Sequence, residues 1–287
     1  MPSAQGPVVL ALDFGGTKTA LTVADPHGTR LRDRTVQTAA GQGARAGLER
    51  AVAAARTLLD GREPLAVGVS TIGIPGADGV ALAPNIPGWG ELALGRELAL
   101  EFPGSALRLT TDVKAAARYE HAAGALKGCD PGLYVNLGTG LAVALVVGGA
   151  VVAGRNGASG EIGYSLRARA DVGRMAADRI PLEDVVSGRA LSRAARSAGS
   201  RQLADHIGEF IDELAFHLVN LSIALDPQRI VVGGGMVRSW GALHDRLRTA
   251  LDAAVPYPPE LEAAAHPYDA PLLGALALAV EAARTGT

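Results

Sequence analysis

Cysteine is almost missing from this sequence. Cys129 stands alone among 287 residues, which excludes an internal disulfide framework and any multi-cysteine zinc cluster and fits a reducing, cytoplasmic setting. The six histidines are scattered singly, so each reads as a surface or packed residue rather than a metal ligand. Charge of one sign is also lacking. A formal net charge of -2, without long runs of like charge, gives no electrostatic reason to expect nucleic acid or an anionic membrane as partner. No apolar run approaches the roughly 20 residues that a membrane helix needs. The longest, residues 141–153, carries Gly148-Gly149 in its middle and reads as a hairpin of two buried strands. The apolar run at residues 8–12 is too short for a signal-peptide core and stops at Asp13, as a buried strand would. No Walker A run occurs, and no G-x-G-x-x-G opens a helix, which argues against P-loop and Rossmann nucleotide sites.

What remains is an ordinary globular composition, 48% hydrophobic and 20% charged, in a chain long enough for two packed domains. Residues 8–13 read as a strand, Gly15-Gly16 as a turn, and residues 19–24 as a second strand. A helix follows over residues 47–59, where Leu48, Val52, Ala55 and Leu58 recur at helical spacing, and then a buried strand over 65–70. Residues 107–111 form a further short strand, and the Ala-rich stretch 113–124 has helical composition, so Asp112 falls at a strand-to-helix junction. Ligands bind at such junctions in open α/β sheets. Residues 134–137 and the hairpin after them repeat the opening pattern of strand, Gly-rich turn, strand. That repetition predicts a second domain related to the first. The last third reads as a helix over 204–225, a break at Asp226-Pro227, a strand over 229–232 ending in Gly233-Gly234-Gly235, and a final helix over 271–283. There is no low-complexity segment or long linker. The expected division is a smaller N-terminal α/β domain, 1–112 with 272–287, and a larger C-terminal one, 113–271.

Three segments carry phosphate chemistry. Asp13-Phe14-Gly15-Gly16-Thr17-Lys18 places an acid at a strand end, then two glycines that let backbone N–H groups approach an anion, then a hydroxyl and a cation. Gly138-Thr139-Gly140 follows a second buried strand, and Gly233-Gly234-Gly235 a third. One glycine cluster is an ordinary turn; three, each directly after a buried strand, point to a phosphate or nucleotide ligand.

The order and spacing of these segments resemble the ROK family (repressors, open reading frames, kinases) of the actin and hexokinase-like ATPase superfamily over nearly the whole chain. Asp13 to Lys18 resembles the family's first phosphate motif and residues 137–140 its second. Asn85-Ile86-Pro87-Gly88-Trp89 resembles the sugar-facing loop, Gly160-Glu161-Ile162-Gly163 the G-E-I-G-H sugar motif, residues 183–188 the E-x-x-x-S-G segment, and Asp226-Pro227 with Gly233 to Gly235 the adenosine motif. Asp112 aligns with the catalytic aspartate.

The resemblance implies an α/β fold of two ribonuclease H-like (actin-like ATPase) domains facing a central cleft, usually as a homodimer, with ATP and Mg²⁺ as cofactors. Asp112 would act as general base on a sugar hydroxyl, usually the 6-hydroxyl, as it attacks the γ-phosphate. Asp13 would hold Mg²⁺ directly or through water, while Thr17, Lys18, Thr139 and backbone amides at Gly15, Gly16, Gly138 and Gly140 neutralise phosphate. Asn85, Thr111, Asp112, Glu161, Tyr164 and Glu183 would contact the sugar. Most members bind zinc through the histidine ending the sugar motif and cysteines beyond it. Here Tyr164 replaces that histidine and residues 165–181 hold no cysteine or histidine, so no zinc is expected. Thr111 and Lys114 also replace usual asparagines, which leaves the sugar open between glucose and an amino sugar such as kanosamine. The competing expectation is a non-catalytic, sugar-responsive regulator of the same fold. Family repressors carry a DNA-binding domain ahead of the first phosphate motif, and seven residues precede Val8 here.

Overall fold

The computed structural model describes residues 6–197 and 200–285. In chain order the elements are β1 (Val9–Phe14), β2 (Lys18–Ala24), β3 (Arg30–Gln37), α1 (Ala44–Leu59), β4 (Ala66–Thr71), β5 (Ile74–Pro75), β6 (Val80–Ala81), α2 (Leu94–Glu101), β7 (Ala106–Thr111) and α3 (Asp112–Ala123). They continue with β8 (Gly132–Leu137), β9 (Leu141–Val147), β10 (Ala150–Val151), α4 (Gly188–Ser197), α5 (Ser200–Leu225), β11 (Arg229–Gly233), α6 (Trp240–Ala254), β12 (Glu260–Ala263) and α7 (Ala270–Thr285). Two compact units result, one running up to Tyr119 and resuming at Asp269, the other spanning Glu120–Tyr268.

The first unit is built on a five-stranded sheet in the order β3-β2-β1-β4-β7. β1, β2 and β3 pair antiparallel, whereas β4 and β7 run parallel to β1. Successive side chains of a strand point to opposite faces, and β1 uses both. Leu10, Leu12 and Phe14 enter a core with Leu48, Ala51 and Leu58 of α1, while Val9 and Ala11 pack with Ala275, Leu276 and Ala279 of α7. The sheet is therefore covered on both sides, which is why its central strands read as continuous apolar runs. A Cβ at Gly68 of β4 would overlap the Ala275 carbonyl, so a glycine here lets α7 lie against the sheet.

The second unit repeats the plan: β10-β9-β8-β11-β12, with β8, β9 and β10 antiparallel and β11 and β12 parallel to β8. Leu133, Val135 and Leu137 of β8 share a core with Leu214 and Leu218 of α5 and Leu243 and Leu247 of α6. Both units thus share one strand order, as expected from the repeated strand, turn, strand pattern, which predicts a second domain related to the first.

Three features depart from the sequence reading. The eight residues of β3 carry no apolar alternation and are almost wholly exposed, because an edge strand needs only backbone pairing with β2. β10 is a two-residue strand with Ala150 exposed and Val151 half-buried, so the 141–153 hairpin has one buried strand rather than two. β5, β6, α2, α4, α6 and β12 have no counterpart in the sequence reading. Among the described residues, no helix is long and apolar enough to cross a membrane.

Candidate active site

In the first unit, the parallel strands bring their C-terminal ends into register. Asp13 of β1 is paired with Ser70 of β4, and Ser70 with Thr110 of β7; one step on, Phe14, Thr71 and Thr111 are aligned. Asp112 follows as the first residue of α3. Asp13 and Asp112, far apart in sequence, therefore emerge at the same end of one sheet, where open α/β sheets bind ligands.

The Asp13 carboxyl is raised from 3.8 to about 7, chiefly by burial, against a hydrogen bond from Ser70 that lowers it. The Asp112 and Asp269 carboxylates raise it further, and the Lys18 ammonium lowers it. Ser70 Oγ donates to Asp13 Oδ1 at 2.6 Å. Asp269 immediately precedes α7 and its carbonyl accepts the Leu273 N–H. Neither Ser70 nor Asp269 is found by sequence reasoning. Ser70 carried a signal, a hydroxyl at the end of a buried strand, but Asp269 lies 256 positions from Asp13 and has no local one.

The Gly15-Gly16-Thr17 turn is braced from outside. The Gly15 N–H donates to the Lys18 carbonyl at 3.0 Å, the Thr38 hydroxyl donates to the Gly15 carbonyl at 2.7 Å, and the Thr38 N–H donates to the Thr17 carbonyl at 2.9 Å. Thr17 and Lys18 are exposed. At the α3 start, Asp112 Oδ1 accepts the Val113 N–H at 2.8 Å, which orients its carboxylate. The helix-capping role falls to Thr111, whose buried hydroxyl accepts the Lys114 N–H at 3.3 Å. Asn85 is exposed on a loop anchored by Trp89. The indole is fully buried, lies 5.6 Å from the Phe14 ring, and donates from Nε1 to the Thr71 hydroxyl at 3.3 Å.

The second unit brings together Gly138-Thr139-Gly140, Glu161, Tyr164, Glu183 and Gly233-Gly234-Gly235. The Gly138 carbonyl accepts the Gly188 N–H at 2.8 Å. Gly234 adopts φ 87°, and a Cβ there would meet the Leu137 carbonyl at 2.5 Å and Asn136 Oδ1 at 2.7 Å, so this turn lies directly against the end of β8 that leads into Gly138. Tyr134 of β8 is fully buried and abuts Gly233. Thr139 is exposed.

Glu183 is engaged on both oxygens: Oε2 accepts the Leu141 N–H at 3.0 Å and Oε1 accepts Arg189 Nη2 at 3.0 Å. Its Cβ would lie 3.2 Å from a Cβ at Gly163, so it joins the Gly138-Thr139-Gly140 turn to the 160–164 segment. Arg189 has no sequence signal for this role. Glu161 is half-buried at the head of the short 3-10 turn Ile162–Tyr164. Burial first, then the Glu183 and Glu161 carboxylates, raise the Tyr164 phenol above its ordinary value.

Among the described residues, no group of three or more His, Cys, Asp or Glu side chains is placed to hold a metal ion by itself. The donor chemistry of the first unit nonetheless fits Mg²⁺ shared with phosphate oxygens. Asp13 is a hard oxygen donor, and its neighbouring carboxylates leave negative charge that a divalent cation would offset.

Comparison with known proteins places the chain. The ROK family model matches residues 9–282. A bifunctional enzyme NanE/NanK of Brucella melitensis biotype 1 is 28% identical over 302 residues, covering 94% of this chain; the chain spans about half of that relative, 54%. A kanosamine kinase of Amycolatopsis mediterranei is 29% identical over 249 residues, covering 80% of both chains. The crystal structure of a ROK family glucokinase from Streptomyces griseus in complex with glucose and AMPPNP superposes with a TM-score of 0.76 at 26% identity, covering 96% of this chain and 99% of that one. The chain belongs to the ROK family.

Proposed function

We propose that this protein is an ATP-dependent sugar kinase that transfers the γ-phosphate to the 6-hydroxyl of a hexose or amino-hexose, with Asp112 as the general base. The observation that carries the reading is the alignment of Asp13 and Asp112 at one end of the first sheet, coupled electrostatically. The kinase names of the relatives support it.

The sugar oxygen attacks the γ-phosphorus as the bond to the ADP oxygen breaks, and the hydroxyl proton passes to Asp112 late in the step. The Val113 N–H on Oδ1 keeps that carboxylate oriented. Asp13 would hold Mg²⁺, which when bound would neutralise phosphate charge. Lys18, Thr17, Thr139 and the backbone amides of Gly15, Gly16, Gly138 and Gly140 would neutralise phosphate oxygens. Gly233-Gly234-Gly235 face the adenosine. Asn85, Thr111, Glu161, Tyr164 and Glu183 contact the sugar. Two carboxylates beside Tyr164 favour a sugar bearing an amine, in keeping with the kanosamine kinase relative.

The test is ATP consumption with Mg²⁺ over glucose, mannose, N-acetylmannosamine, glucosamine and kanosamine. At least one sugar should turn over, and Asp112→Asn should abolish that turnover while AMPPNP still binds. A protein inert on every sugar, or an Asp112→Asn variant at wild-type rate, refutes the reading.

A further inference from the structure

Glu120, in α3, is a fully buried carboxylate that the kinase chemistry does not use. It accepts three backbone N–H groups: Ala125 at 2.7 Å and Ala265 at 3.1 Å on Oε2, and His266 at 2.8 Å on Oε1. A buried carboxyl group is tolerated only where hydrogen bonds replace its water, and three backbone N–H groups do so here. A Cβ at Gly124 would overlap this carboxylate, so the glycine leaves it room.

The two distant donors explain what the arrangement holds. Ala264 still donates in sheet fashion to the Val232 carbonyl at 2.8 Å, but β12 has ended at Ala263. The next two amides, of Ala265 and His266, would lack a strand partner. Glu120 takes both. The following residue, Pro267, offers its carbonyl to the Gly234 N–H at 3.0 Å. Arg238, just past the glycines, lies over the Tyr268 ring at 5.2 Å. Residues 264–268 are thus fastened alternately to β11, to Glu120 and to the Gly233-Gly234-Gly235 turn.

We propose that Glu120 is a positioning residue for nucleotide binding: by holding the Ala265 and His266 amides it fixes the Pro267 carbonyl, which in turn fixes the Gly234 peptide. This rests on reading that turn as the adenosine side of a kinase site. Gln in place of Glu keeps the size but must turn an NH₂ toward one of the backbone donors, so one bond of the set fails.

The experiment compares wild type with Glu120→Gln by calorimetric titration of AMPPNP with Mg²⁺ and by steady-state kinetics. The expected result is a Kd for AMPPNP and a KM for ATP raised about tenfold or more, with the sugar KM and kcat within about twofold. Unchanged nucleotide affinity in the variant, or an equal loss for nucleotide and sugar, overturns the inference alone. If wild type binds no nucleotide, the kinase reading falls and takes the inference with it. Hydrogen exchange on the wild type needs neither ligand nor variant: the Ala265, His266 and Gly234 amides should exchange slowly, and fast exchange at the first two would overturn the proposal even if Glu120→Gln fails to fold.

Discussion

The Ser70 hydroxyl donates a 2.6 Å hydrogen bond to the Asp13 carboxyl across the parallel pairing of β1 and β4. It opposes burial, which raises Asp13 from 3.8 to about 7. In the metal-free protein the folded state therefore holds a proton that the unfolded chain releases at lower pH. The stabilising effect is complete below about pH 3.8 and fades as pH rises to about 7, at about 1.4 kcal/mol per pH unit. Urea titrations without Mg²⁺ should show this slope between roughly pH 4 and 7, and Asp13→Asn should remove it. A slope unchanged in that variant refutes the assignment. Ser70→Ala should move the upper end of the slope to higher pH, since the bond that lowers Asp13 is gone.

Thr111 caps α3 with its buried hydroxyl. Thr111→Val keeps the volume and removes the acceptor for the Lys114 N–H, so stability should fall by about 1 kcal/mol. Thr111→Ser should lose much less of it. Thermal unfolding distinguishes them, and equal stability of the valine and serine variants would contradict the capping role.

Trp89 holds the loop that carries Asn85. Its fully buried indole rests on Phe14 and donates to Thr71, so Trp89→Ala should cost about 3–5 kcal/mol. Trp89→Phe should cost considerably less, because the ring contact survives and only the hydrogen bond is lost. Denaturant midpoints at constant m-value give both figures.

Gly234→Ala should weaken AMPPNP binding more than it weakens the fold's sugar contacts. The residue has φ 87°, and an added Cβ would press on the Leu137 carbonyl and Asn136 Oδ1, shifting the turn away from β8. Titration calorimetry with AMPPNP should report at least about a tenfold loss. An alanine variant with wild-type nucleotide affinity would remove this turn from the nucleotide site.

Zinc should be absent from purified protein, and chelation should leave the unfolding temperature unchanged. The family resemblance puts Tyr164 at the position of a ligand histidine, and among the described residues no cluster supplies three ligands. Elemental analysis showing one zinc per chain would overturn this.

Much of this arrangement is legible in the sequence because it is local. Asp13 ends an apolar run and precedes two glycines, and Asp112 sits where strand composition gives way to alanine-rich helix. Both cues arise from how a few neighbouring residues must pack. What escapes is set by partners far along the chain. Glu120 meets Ala265 and His266 across 145 and 146 positions, and Glu183 reaches Leu141 across 42. An acid used this way looks, in sequence, like any other acid on a helix. β3 escapes for the opposite reason, since an exposed edge strand has no buried face to impose an alternating pattern.

That same strand has a consequence for the protein at high concentration. β3 is eight residues long and lies at the open margin of its sheet, where unpaired backbone groups could template growth onto another molecule. Its exposed Arg30, Arg32, Asp33 and Arg34 make such stacking electrostatically and sterically unfavourable. Neutral β-branched residues at these positions would keep the backbone pairing with β2 and remove that electrostatic guard, so such a variant should aggregate at concentrations the wild type tolerates.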